Sequence, residues 1–129
     1  MDVFVYGTLT DPDRVAAVVD SFAFVGGAVL HGLHAVQGTY PTLAPGGEVG
    51  GRILRTRDLD ALDAYEGVDG GPYVRVSVPA TGEYLPETVE LYVGDPDALE
   101  APATWPGEGS FEERLREYLR RGTVRIESR

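Results

Sequence analysis

A chain of 129 residues, 43% of them hydrophobic, is long enough to bury one core but not two, and it reads as a single domain over 1–129. Its net charge of −10, with 21 acidic side chains against 11 basic ones and every basic one an arginine, disfavours nucleic acid and anionic lipid as partners and leaves no lysine amine for chemistry. The absence of cysteine excludes a disulfide scaffold, a thiolate nucleophile and a cysteine zinc site; with no apolar run near the ~20 residues of a membrane span and no basic leader around Asp2, a cytoplasmic protein is expected.

Asp2 to Tyr6 reads as a short strand in which Val3 and Val5 alternate with Phe4 and Tyr6. Gly7-Thr8-Leu9-Thr10 is a turn. Asp11-Pro12 carries the signature of a helix start, with Asp as N-cap and Pro at the first helical position. Val15, Val18 and Val19 supply that helix's apolar stripe, and it is expected to end near Asp20. Phe22 to Val36 predicts one or two strands bent at Gly26-Gly27 and Gly32, as at the corners of a small barrel. A Pro-Gly-Gly turn is expected at Pro45 to Gly47, and another strand from Val49 to Arg57.

Asp58 is placed to cap a helix from Leu59 to about Glu66, with Leu59, Leu62 and Tyr65 near one face and Gly67 at its C-terminal end. Tyr73 to Pro79 reads as a strand with Val74, Val76 and Val78 on one face and Tyr73, Arg75 and Ser77 on the other. Thr81-Gly82-Glu83 predicts a hairpin turn with Thr88 to Val93 returning. A Pro/Gly loop from Ala101 to Gly109 holds the single tryptophan. Ser110 and Glu113 form a capping box for a helix from Phe111 to Arg121, stopped at Gly122, and Thr123 to Ile126 suits a last strand. Short strands with a few short helices point to an α+β domain built on a curled sheet or small barrel.

Three stretches in order resemble the γ-glutamylcyclotransferase-like family, which includes the AIG2-like proteins: Tyr6-Gly7-Thr8-Leu9 after the first strand, Val49-Gly50-Gly51-Arg52-Ile53-Leu54, and Leu62-Asp63-x-x-Glu66-Gly67 followed by Tyr73 and Arg75. Tyr40-Pro41 falls where the family often has a Tyr-Pro pair. The similarity runs over about residues 3 to 93; the final third matches loosely, with Ala-Thr-Trp-Pro-Gly around Trp105 where Gly-Asp-Trp is expected. The resemblance implies a small mixed β-barrel flanked by short helices, with the Tyr6–Leu9 loop facing Glu66 across a pocket. It implies that Glu66 is the acid/base residue, that Tyr6, Gly7, Thr8 and Leu9 bind substrate, and that no cofactor is required. Tyr73 either presents its hydroxyl to the pocket or packs on the barrel. Arg75 is expected to pair with a carboxylate, and Tyr40 and Pro41 to be structural.

The family reaction is intramolecular: the α-amine of a small γ-glutamyl substrate attacks its own γ-carbonyl, giving 5-oxoproline and a released amine or amino acid. The nucleophile arrives with the substrate, so the lack of Cys and of a Ser/His pair is no obstacle. The residues leave a non-catalytic ligand-binding or regulatory module on the same fold as the alternative. His31 and His34, three apart in a strand, fall on opposite faces and are not expected to hold a metal. The glycines from Gly46 to Gly51 lack the strand-to-helix context of a phosphate loop. Trp105 is expected to pack, with a lid over the pocket as the alternative. The acidic surface reads either as an ordinary solvated surface or as adaptation to a salty cytoplasm, where repulsion among carboxylates is screened. Neither the leaving group nor the oligomeric state is written in the sequence.

Overall fold

The computed structural model describes residues 1–68 and 70–129, and at position 8 the backbone alone. Six strands among these residues close into a barrel: β1 (Asp2–Val5), β2 (Phe22–Gln37), β3 (Pro41–Thr56), β4 (Tyr73–Thr81), β5 (Thr88–Gly94) and β6 (Arg125–Ser128), in the order β1-β3-β2-β6-β4-β5. Two antiparallel hairpins, β2–β3 and β4–β5, make most of the wall. The terminal strands join them. β6 lies antiparallel to β2 and parallel to the end of β4, and β1 lies antiparallel to β3 and parallel to β5. Closure gives each of the six strands a partner on both sides over at least part of its length.

The β2–β3 hairpin differs from the expected turn-and-strand reading. β2 is one 16-residue strand with register shifts between Phe24 and Gly26 and between His31 and Leu33, so the bends expected near Gly26 and Gly32 are bulges within a continuous strand. Pro45 to Gly47 is not a turn. β3 runs through it, and Gly46 and Gly47 take positive φ (97° and 73°) opposite Gly32, where two residues of β3 face one of β2. The reversal comes instead between Gln37 and Pro41, at Gly38-Thr39-Tyr40. A glycine pair that can enter positive φ serves a bulge as well as a turn, and local composition does not distinguish the two.

Alternation along the strands sorts two cores. Phe4, Leu30, Ile53, Val76, Val78, Val89, Leu91 and Ile126 gather with Trp105 and Leu115 in one, so Trp105 packs as expected, edge-on to Phe111 and Tyr118. Val3, Val5 and Leu54, on the other face of β1 and β3, gather with Val15, Leu62 and Leu99 in the second. These last three come from helices α1 (Pro12–Val18), α2 (Leu59–Glu66) and α3 (Pro96–Leu99). Helix α4 (Phe111–Arg120) starts on the expected capping box, with the Glu113 amide donating to Ser110 Oγ and the Ser110 amide to Glu113. Asp11 caps α1 by accepting from the Asp13 amide, as its sequence predicts.

Candidate active site

A cavity of about 360 Å3 opens where β1 ends. Its walls come from four places: Phe4 to Gly7 and Leu9 beyond β1, Tyr40 and Pro41 at the entry to β3, Tyr65 to Gly67 at the end of α2, and Pro72, Tyr73 and Tyr92 from the β4–β5 hairpin. Of the expected site residues, the structure thus brings together Glu66, Tyr6, Gly7, Leu9 and Tyr73. The side chain of Thr8 lies outside the described residues; its backbone starts a single 3-10 turn, Thr8–Thr10.

The local sequence explains why Glu66 points here. Leu62 is fully buried in the second core and fixes the rotation of α2 on the barrel wall. Gly67 then ends the helix in the left-handed region, with φ of 71°. Its amide donates to the Ala64 carbonyl and the Val68 amide to the Asp63 carbonyl, the paired closing bonds of a Schellman motif. Glu66 is therefore the last helical residue, held at the cavity wall. Asp58 occupies the N-cap position of α2 but makes no side-chain cap; its carboxylate accepts from the Asp20 amide and so ties the end of α1 to the start of α2.

Burial pushes the Glu66 carboxyl up to about 7. Among the described residues no Arg, Lys or His lines the cavity, so no cation opposes that shift. Tyr65 lines the cavity at its rim, 42% exposed, while Leu62 lies below in the core.

Three of the lining tyrosines present rings to the cavity and commit their hydroxyls as donors elsewhere. Tyr6 donates to the Tyr92 carbonyl at 2.8 Å, Tyr73 to the Pro41 carbonyl at 2.7 Å, and Tyr92 to Asp63 Oδ1 at 2.6 Å. Tyr73 thus both packs and touches the cavity, its oxygen fastened to the wall. Burial, then the charge of Glu66, pushes its phenol up to about 12. Burial first, then Tyr73 and Glu66, pushes Tyr6 up, and burial first, then Asp63, pushes Tyr92 up. Around neutral pH these three phenols stay protonated, and Glu66 is the cavity group that titrates.

Tyr40 and Pro41, expected to be structural, also line the cavity, and Tyr40 is 60% exposed at its mouth. Tyr92 was not singled out by sequence. Its signal was the alternation of β5: Val89, Leu91 and Val93 face inward, which puts Glu90 and Tyr92 on the outer face, opposite Ser77 and Arg75. Arg75 pairs with carboxylates as expected, those of Asp63 and Glu90. His31 lies between Glu48 and Glu127, while His34 Nδ1 meets the Gly46 carbonyl at 2.9 Å.

Comparison with known proteins agrees with this architecture. The family described as γ-glutamyl cyclotransferase, AIG2-like matches residues 3–123. AIG2-like protein A of Arabidopsis thaliana is 32% identical over 123 residues, covering 87% of this chain and 70% of that protein. AIG2-like protein C of the same plant is 34% identical over 125 residues, covering 87% and 67%. Among solved structures, an Arabidopsis thaliana protein determined in solution superposes with a TM-score of 0.59 at 32% identity, over 94% of this chain and 84% of its own. A γ-glutamyl cyclotransferase superposes with a TM-score of 0.60 at 20% identity, over 92% and 97%, a likeness of fold alone. The barrel and the match over nearly the whole length together establish that the chain belongs to the γ-glutamyl cyclotransferase, AIG2-like family.

Proposed function

We propose that the protein is a cyclotransferase that closes a small γ-glutamyl substrate to 5-oxoproline and releases its amine or amino acid, with Glu66 moving the proton. The observation that carries this reading is a single carboxyl, raised to about 7, in a cavity otherwise walled, among the described residues, by aromatic rings, aliphatic side chains, proline and glycine. An ordinary carboxylate is too weak a base for an ammonium; one raised to neutrality is matched to the task.

In the proposed reaction the Glu66 carboxylate takes a proton from the substrate's α-ammonium. The freed amine attacks the γ-carbonyl carbon, forming the ring C–N bond and a tetrahedral oxyanion. Glu66 then returns the proton to the departing nitrogen as the original C–N bond breaks. The ring nitrogen gives up its remaining extra proton through the same carboxylate to the released amine, which departs as an ammonium; two protons thus leave the α-nitrogen and two reach the leaving nitrogen, and no group of the protein becomes acylated. The cavity's main contribution is to hold the substrate folded, α-nitrogen over γ-carbon, since orienting such an attack reaches effective molarities of ~10⁵ M or more. The rings of Tyr6, Tyr73 and Tyr92 are fastened at their hydroxyls and form a rigid wall for that purpose. With no cationic side chain on the described wall, the substrate's α-carboxylate and the oxyanion are assigned to backbone amides of the Gly7–Leu9 segment, where Gly7 permits close approach.

The test is 5-oxoproline release from a γ-glutamyl panel spanning amino-acid, thiol and alkylamine leaving groups, with wild type and Glu66→Gln side by side. Release by wild type and a loss of about 10²–10⁴-fold in Glu66→Gln is the expected result. No release by folded wild type from any member overturns the enzyme reading in favour of a ligand-binding module. The rate for wild type should rise with pH through a midpoint near 7, as the carboxyl becomes the base.

A further inference from the structure

On the outer wall behind the cavity lies a cluster of charges that the proposed reaction does not use. Arg75 of β4 faces Tyr92 of β5, and Ser77 faces Glu90 one step along. Arg75 Nη1 donates to Glu90 Oε1 at 2.8 Å, and Arg75 Nε lies 3.0 Å from Asp63 Oδ1. The Nε–H is not directed at that oxygen, so this second contact is an attraction of charges rather than a directed hydrogen bond. Asp63 Oδ1 also accepts from the Tyr92 hydroxyl, and the other oxygen of Glu90 accepts from Ser77. The side chains are largely withdrawn from water: Glu90 is 11% exposed, Asp63 23% and Arg75 28%.

Asp63 is on α2, three residues before Glu66 and so one turn behind it on the same helix. The helix has only eight residues, makes no side-chain cap of its own at Asp58, and ends on a carboxylate that its dipole disfavours. Through Asp63, that last turn is bound to two neighbouring strands. Through Tyr92, which is held at its hydroxyl by Asp63 and at its carbonyl by Tyr6, the same cluster sets one wall of the cavity. We propose that the Arg75–Asp63 pair is a positioning latch, which holds the final turn of α2 against β4 and β5 and thereby keeps the Glu66 carboxyl inside the aromatic cavity in register with the reacting atoms. The proposal rests on Glu66 being the working carboxyl, and its test reads that carboxyl directly as well as through turnover.

The readout is a carboxyl-carbon NMR titration of protein labelled at glutamate, in which the Glu66 resonance is the one missing from Glu66→Gln. The groups around Glu66 that bear on its titration are Tyr6, Tyr73 and Tyr92, with Tyr40 and Tyr65 at the rim and Asp63 on its own helix. The deciding variant is Arg75→Met. By charge alone, loss of a cation would make Glu66 harder to ionise and raise its midpoint or leave it unmoved. A released helix end lets water reach the carboxyl, so the latch predicts a midpoint that falls from near 7 towards the ordinary range, together with a kcat lower by about tenfold to 10²-fold and little change in KM.

If Arg75→Met does not fold, Arg75→Lys decides. It keeps the charge but cannot bridge both carboxylates, so any fall in the midpoint reports position rather than charge. In the variant that decides, a lower melting temperature with the Glu66 midpoint and kcat of wild type, or a midpoint that rises, overturns the latch and leaves the cluster as a stabiliser of the fold. Should wild type release no 5-oxoproline from any substrate, the titration still tests the latch, and the two failures stay separate.

Discussion

At the scale of the residue, Glu66 links the site to stability. Its carboxyl titrates near 7 in the folded chain and near 4.5 in the unfolded one, so between those values the folded state binds more proton. Stability contributed at this position is therefore greatest below about pH 4.5, declines as pH rises through the window, and is a constant cost above pH 7. Each unit is worth ~1.4 kcal/mol, which sets the cost at up to about 3 kcal/mol, reduced by water that enters the cavity. Glu66→Gln should accordingly stabilise the protein by about 1–3 kcal/mol at pH 8 and by close to nothing at pH 4.5, as read from urea denaturation at the two pH values. A gain of equal size at both would mean that burial of charge is not its cause. Sequence marked Glu66 as the residue at a helix end beside a left-handed glycine. It left out Tyr92, because the turn read at Thr81-Gly82-Glu83 leaves the stretch up to Thr88 irregular and so does not fix which residue of β5 stands opposite Arg75.

At the scale of the element, ends were more legible than interiors. Helix starts are local chemistry: Asp11-Pro12 and the Ser110/Glu113 box were readable because a side chain three or fewer residues away satisfies the first amides. The same Asp-Pro-Asp pattern recurs at Asp95-Pro96-Asp97, where it opens α3, and that repeat was the unread signal for this short helix. The long β2–β3 hairpin was cut in two because its bulge glycines imitate a turn, and only pairing with a partner strand tells them apart. Two substitutions check these readings. Ser110→Ala removes the cap of α4 and should cost about 1 kcal/mol by denaturation. Gly51→Ala is expected to cost more than about 2 kcal/mol, since its Cβ would stand 2.3 Å from the Val5 carbonyl oxygen and 2.7 Å from the Phe4 ring, both immobile parts of the β1–β3 seam. Because that seam leads into the cavity, the proposed 5-oxoproline release should suffer with it.

At the scale of the whole molecule, composition spoke first and most broadly. Its one-core estimate gave way to two layers of packing, one among inward strand residues and one under the helices, because alternation on β1 and β3 serves both faces of the wall. Most of the acidic excess stands on the surface: Arg116 and Arg120 of α4 meet Glu112 and Glu117, while most carboxylates remain in solvent. Screening their repulsion should raise the melting temperature between low and molar KCl; a melting temperature that is flat or falling would set aside adaptation to a salty interior.

The joining of two hairpins by the chain's two terminal strands also imposes an order in time. Each hairpin brings together residues near in sequence and assembles on the scale of ~1–10 μs, but the cylinder exists only once β6 inserts between β2 and β4 and β1 meets β5. β6 is thus the strand that locks the first hairpin to the second, and its contacts are expected on the late side of the folding barrier. Ile126→Ala, which empties a fully buried site on β6, should cost about 2–5 kcal/mol and spend it on faster unfolding, while equal damage at Leu30 in the long hairpin slows folding instead. Stopped-flow chevrons of the two variants would show whether the barrel is closed by its final four-residue strand or by some other seam.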